Sequence, residues 1–259
     1  MELANAPLVE VITELRWGQV ARMQDGKVSF RFNEEDTLFF VGRFHSVAKE
    51  SGFSTVERTN LGLQGAPHVV THRFRKAPNV WPCYQIGIGA MTTNQLNDGY
   101  KWENYKKAVL SGLEMLDKAH PSGTANIPRI GVDLKYQDGF IFGENETPDR
   151  FLKEKLNFGF SVPEQFLTKA ELKSPVVTGN NIGFEISLQK PAGVLAVLLN
   201  QASINKKPGF VMETSVRSTG DLCPEFSRDA MNNWLEEAHH IQRLAFQSFI
   251  NPAYMKSFK

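Results

Sequence analysis

Residues 5–17, Asn-Ala-Pro-Leu-Val-Glu-Val-Ile-Thr-Glu-Leu-Arg-Trp, restrict the fold more than any other stretch of the chain. Pro7 opens the segment. Val9, Val11, Thr13, Leu15 and Trp17 then fall on one side, and Glu10, Glu14 and Arg16 on the other. A period of two is the mark of a half-buried β-strand. The pattern returns about half a chain later in Asn126-Ile-Pro-Arg-Ile-Gly-Val-Asp-Leu-Lys-Tyr136, where Ile130, Val132, Leu134 and Tyr136 share a side.

Between these two strands the alternation changes period several times. Gln24-Asp-Gly26 is a turn signal, and the alternation of residues 28–32 makes it a hairpin. Phe40, Val41, Phe44, Val47 and Ala48 recur at helical spacing, with cap candidates at 33–37 and Gly52 as terminator. Strands are expected at 53–59, at 70–75 and across 84–90, where Tyr84, Ile86, Ile88 and Ala90 alternate. Gly87 and Gly89 on one side of that last strand would admit a helix closely. Trp102, Tyr105, Val109, Gly112, Leu113 and Leu116 then form the stripe of a long helix.

After the second copy of the opening strand, Thr147 and Pro148 begin a short helix as N-cap and first helical residue. Strands follow at 184–188, at 194–204 (a fully buried one) and at 210–216. A final helix over 225–250 carries Met231, Trp234, Leu235, Ala238, Ile241, Ala245 and Phe249 inward. Each half thus reads strand, helix, strand, strand, helix. The steps Asn94-Gln95 and Asn200-Gln201 look like a further echo, although alternating strands also resemble one another by chance. The order predicts an α+β fold of antiparallel sheets with helices packed on one face, built by internal duplication, with halves at 1–124 and 125–259.

Composition narrows the function classes. Twenty-nine basic against 28 acidic residues leave a net charge of +1, so nothing in the charge indicates nucleic acid as a partner, though a local basic patch is compatible with it. Nineteen phenylalanines point to large apolar contact surfaces. Cys83 and Cys223 make no metal-ligand pattern and suit a reducing compartment. The longest apolar run, 194–199, is too short for a membrane span, and the N-terminal residues lack signal-peptide character. The expectation is a cytoplasmic protein.

No complete catalytic, cofactor or metal constellation is visible. Gly87-x-Gly89 lacks the remaining phosphate-loop residues, and no Gly-x-Ser-x-Gly elbow occurs. Glu236 and His240 lie one helical turn apart without a second ligand cluster. Glu10 and Glu14 are roughly 13 Å apart along their strand, too far to share a proton. The residues that remain as candidates for binding a ligand or partner are Glu10, Glu14 and Arg16 on the first strand, Arg129 and Asp133 on the second, and His72 with Arg73 on a third.

The opening Asn5-Ala-Pro-Leu-Val-Glu-Val-Ile-x-Glu-Leu-Arg16 resembles the start of an uncharacterised, sporadically distributed family of bacterial and archaeal proteins of similar length. Arg129-Ile-Gly-Val-Asp-Leu-Lys-Tyr136 is similar to that family's central Arg-Ile-Gly-Leu-Arg-Tyr strand, departing from it at Asp133 and Lys135. Ala238-His239 and Phe249 resemble its C-terminal pattern. The resemblance implies no activity. It implies an accessory gene, of the kind found near phage-defence or CRISPR loci.

Taken together, the leading expectation is a non-catalytic binding or regulatory protein acting through a protein partner or self-association, without a cofactor. The alternatives are a small-molecule or nucleotide-binding module with a groove between the halves near Arg16 and Arg129, and a nuclease-type enzyme using His72 and neighbouring arginines.

Overall fold

The computed structural model describes residues 5–22, 28–32, 39–60, 62, 66–120, 130–159 and 181–259, with only the backbone of 19–22 and 28–31. Its strands are β1 (Leu8–Arg16), β2 (Gln19–Arg22), β3 (Val28–Arg31), β4 (Thr55–Arg58), β5 (Val70–Arg75), β6 (Cys83–Gly87), β7 (Ala90–Leu96), β8 (Gly131–Ile141), β9 (Asn181–Leu188), β10 (Gly193–Ile204) and β11 (Lys207–Ser218). The helices are α1 (Phe40–Glu50), α2 (Trp102–Ala119), α3 (Pro148–Glu154), α4 (Arg228–Phe249) and α5 (Pro252–Met255). Nine strands make one antiparallel sheet in the order β4-β5-β6-β7-β1-β8-β11-β10-β9, and β2 pairs with β3 apart from it. The fold is mixed α+β.

The opening strand lies in the middle of this sheet, between β7 and β8. Val11, Thr13 and Leu15 enter the core, as the alternation requires, and Thr13 Oγ1 meets the buried Tyr105 hydroxyl of α2 at 2.8 Å. At its start the phase is reversed from expectation. Leu8 is 8% exposed and Val9 43%, because the pairing with β8 shifts register between Leu8 and Glu10. One extra residue in a ladder turns every earlier side chain to the opposite face.

The long alternating stretch at 84–90 is two strands and not one. β6 and β7 turn back on each other at Ile88 and Gly89, and Gly89 adopts a φ of +69° that side chains disfavour. Gly87 does not receive a helix either. A Cβ there would stand 1.8 Å from the Val69 carbonyl oxygen, so it is a neighbouring backbone that approaches. The close helix contact is at Gly112, where a Cβ would lie 2.7 Å from Met91 and 2.8 Å from the Tyr84 ring.

α2 and α4 lie side by side and antiparallel: Trp102 stacks on His239, Lys106 pairs with Glu236, and Glu114 with Arg228. α2 rests on β7, and α4 on β8 and β11. Ser227 and Thr147 cap α4 and α3, each accepting a backbone N–H, and Pro148 takes the first turn of α3 as expected. Both halves carry more strands than the expected pair after the first helix, namely β4 to β7 and β9 to β11. Asn94-Gln95 adjoins β1 on β7, whereas Asn200-Gln201 lies on β10, separated from β8 by β11, so the two steps hold different places. β10 alternates buried with part-exposed residues and is therefore half-buried, with Leu198 on the open side. The expected caps at 33–37 and the turn at 24–26 lie outside the described residues.

Candidate functional site

The charged face of β1 is the outer face of the sheet, turned away from α2 and α4, and its residues hold one another. Arg16 Nε donates to Glu14 Oε1 at 2.7 Å, and Lys135 Nζ of β8 donates to Glu14 Oε2 at 3.1 Å. Lys135 also stands 3.4 Å from Asp133, which accepts from Ser215 Oγ at 2.6 Å. Burial pushes Glu14 upward, but the hydrogen bonds and charges of Arg16 and Lys135 outweigh it, and the carboxyl sits below the usual glutamate range. For Asp133 burial prevails over Lys135 and Ser215, and its carboxyl is raised.

Glu10 joins a second chain on the same face. Asn94 Nδ2 donates to Glu10 at 2.7 Å, Gln85 donates to Asn94, and Arg73 donates to both Gln85 and Glu57. Of the residues singled out in the sequence, Glu14, Arg16 and Asp133 thus meet around Lys135, while Glu10 and Arg73 lie further along the sheet. His72 is turned to the opposite face from Arg73 and bonds the Thr71 hydroxyl; burial, then Arg58 and His45, lower its pKa. Arg129 lies outside the described residues. Glu236 pairs with Lys106 and accepts from Trp102 Nε1, and His240 is exposed one turn on. Among the described residues no group of three His, Cys, Asp or Glu side chains is placed to hold a metal, and no helix is long and apolar enough to cross a membrane.

The inner face holds a cavity that the sequence reading missed. It measures about 420 Å³ and opens between the start of α2 and the middle of α4, over the end of β8. Tyr136, Asp138 and Thr214 form the floor. Tyr100, Trp102, His239 and Phe246 form aromatic walls, Leu8 and its neighbours close one end, and Lys101 and Arg243 stand in the lining with them.

The walls are fixed by their own contacts. The Trp102 and His239 rings stack 3.9 Å apart at an interplanar angle of 9°. Tyr136 Oη lies 2.9 Å from His239 Nδ1 and 2.6 Å from Tyr100 Oη. Burial lowers His239 to about 4, so the imidazole is neutral at ordinary pH. A neutral ring with Nδ1 bare accepts from Tyr136, whose oxygen then accepts from Tyr100. Burial holds both tyrosines far above their usual range.

The floor is different. Asp138 is 5% exposed, and among the described residues no donor reaches its carboxyl. Burial alone raises it to about 7. In the same lining, Gln242 spends its amide hydrogens on the Leu134 and Thr214 carbonyls, at 2.7 and 3.0 Å, and among the described residues its Oε1 is sealed off without a partner. The sequence does carry a signal for both. Asp138 continues the inward series Leu134, Tyr136 and Phe140, and Gln242 sits in the apolar stripe between Ala238 and Ala245.

Comparison with protein-family models, with curated proteins and with solved structures gives no match.

Proposed function

We propose that this chain is a small-molecule-binding module whose ligand enters the cleft between α2 and α4. The observation that carries this reading is the cavity floor, where the ionisable carboxyl of Asp138 lies in the lining with no donor among the described residues. An unpaired buried polar group costs about 1–3 kcal/mol, and a charged one more. A ligand that donates hydrogen bonds removes that cost on binding. A concave, mostly aromatic site with a few convergent polar groups, one of them with a perturbed pKa, is the usual form of a ligand pocket.

The reading places the site between the halves, as expected, but on the inner face beyond Leu8 and not beside Arg16. It also gives the duplication a structural sense. The same offset that carries Asn5 onto Asn126 carries Thr13 onto Leu134, and these two residues face each other in the β1–β8 ladder. β7 and β11 flank that central pair, and antiparallel α2 and α4 lie on the strands' inner face. Two related halves joined about an axis through Thr13 and Leu134 would set their long helices side by side over the central strands.

The test is a thermal-shift screen of a chemically diverse metabolite library against the wild type and Asp138→Leu. At a hundred times its Kd a ligand adds about 2.7 kcal/mol to stability, a rise of several degrees in Tm for a chain of this size. Compounds that stabilise only the wild type are expected. A screen in which no stabilising compound depends on Asp138 would sink the proposal.

A further inference from the structure

We infer that the ligand presents a 2-amino-4-oxopyrimidine edge, the edge shared by guanine and the pterins, to Asp138, and an anionic group to the basic residues at the cavity mouth. The inference rests on the binding reading above and adds the chemistry of the ligand.

The floor decides which edge fits. Among the described residues no donor reaches the Asp138 carboxyl, and Gln242 in the same lining has no hydrogen to offer it because Leu134 and Thr214 take both. The ligand must therefore bring adjacent donors and no acceptor between them. Adenine and cytosine set a bare ring nitrogen, an acceptor, beside their amino group. Guanine and pterin carry a ring N–H beside an exocyclic amino group, three hydrogens in a row. A carboxylate takes two of them in parallel, as it takes the fork of a guanidinium.

The walls call for a flat ring. Trp102 and His239 are already stacked, and Tyr136 and Phe246 add further aromatic surface. Offset stacking on such rings favours a flat base whatever its hydrogen-bonding edge.

The mouth calls for negative charge. Arg243 and Phe246 are shared with an adjoining cavity of about 380 Å³ that also meets Lys256 and Lys259. These cations leave Asp138 unaided, since burial alone sets its pKa. A linear polyamine would satisfy the floor and be repelled at this mouth. An amino acid would satisfy both and leave most of the two cavities unfilled. A nucleotide or a pterin with an acidic tail meets floor, walls and mouth together.

Titration calorimetry on the full chain distinguishes the sources. The probes are GMP, inosine monophosphate, AMP, guanosine and folic acid, each against the wild type, Asp138→Ala and Arg243→Ser. GMP or folic acid is expected to bind, and which of them does so identifies the source. Inosine monophosphate, lacking the amino group, should bind at least tenfold more weakly than GMP, and AMP more weakly still. Asp138→Ala should abolish binding while urea titration shows it at least as stable as the wild type. Arg243→Ser should narrow the gap between GMP and guanosine. Among the groups around the site, His239 stays neutral and Tyr100 and Tyr136 stay protonated from pH 6 to 8, and the basic residues at the mouth are Lys101, Arg243, Lys256 and Lys259. With guanosine, which has no phosphate titrating near pH 6, ionisation of Asp138 should make binding about tenfold tighter at pH 8 than at pH 6. AMP binding as tightly as GMP, or GMP binding unchanged in Asp138→Ala, overturns the edge assignment and leaves the ligand-binding reading standing. Silence from all five probes overturns the assignment alone if the metabolite screen finds another ligand that needs Asp138, and overturns both if it does not.

Discussion

Asp133 and Asp138 lie five positions apart on β8, on opposite faces of the sheet, and their surroundings differ in kind. Asp133 has Ser215 and Lys135 within reach, and Lys135 in turn serves Glu14 and so links Arg16 to the group. Asp138 has aromatic rings around it and no donor. Both carboxyls are raised by burial. The first is held in a network that the chain completes by itself. The second has no such partner among the described residues. Charged residues inside a strand are thus a poor guide to function until their partners are known. The outer-face charges that stand out in the sequence satisfy one another, and the quieter residue on the inner face is the one left wanting.

The largest expected effect separates the two carboxyls by pH. Asp138 has a folded pKa of about 7 against an ordinary value of 3.8, so its contribution to stability is whole below pH 4 and is lost as the pH rises through 7. The difference in unfolding free energy between Asp138→Asn and the wild type should grow between pH 4 and 8 by on the order of 4 kcal/mol in favour of the variant. His239, lowered to about 4, titrates in the opposite sense and weakens the fold as the pH falls from 6.5 to 4; comparing the two proteins at each pH cancels it. Chemical denaturation at five pH values measures this, and parallel curves would contradict the isolation of Asp138.

Next in size is Lys135→Ala, which leaves Glu14 and Asp133 facing each other with only Arg16 and Ser215 to offset them. The side chains of Glu14, Asp133 and Lys135 keep 11%, 18% and 23% of their exposure, so the loss at pH 7 belongs at the low end for a buried pair, about 3 kcal/mol. Part of it should return at pH 4, where the carboxyls protonate. A loss that ignores pH would mean that Lys135 acts through packing alone. Smallest is Arg217→Ala, which removes the ion pair with Glu185. Both partners are well exposed, and the change should stay within about 0.5 kcal/mol and shrink further in salt. A larger cost would place that pair among the structural ones with Lys135.

The long elements were readable because each has one period and one buried face. β1, α2 and α4 follow from the spacing of Val11 to Leu15, of Tyr105 to Leu116 and of Met231 to Ala245. The β6–β7 hairpin was hidden because a two-residue turn at Ile88 and Gly89 lets apolar alternation run on through Ala90. Asp138 was hidden for another reason. Gln137-Asp138-Gly139 has the composition of a turn, and the strand was taken to finish at Tyr136. The chain continues because Gly139 lies under Val9 and Ile204, where a Cβ would stand 3.0 and 3.3 Å from their methyl groups. The cavity itself depends on how β1 meets β8 and α2 meets α4, contacts between residues about a hundred positions apart, and no local period encodes those.

The central ladder also says what the boundary near residue 124 divides. β1 and β8 pair along most of their length, from Leu8 opposite Asp138 to Arg16 opposite Gly131. Severed there, each fragment would carry a long strand with one row of amides and carbonyls bare, flanked on its other side by a well-formed sheet. Such an edge is a template for pairing, and the partner of matching register is the other fragment. Paired along this ladder, the two parts of the chain are complementary templates, and the seam that unites them runs beside the cavity over Asp138.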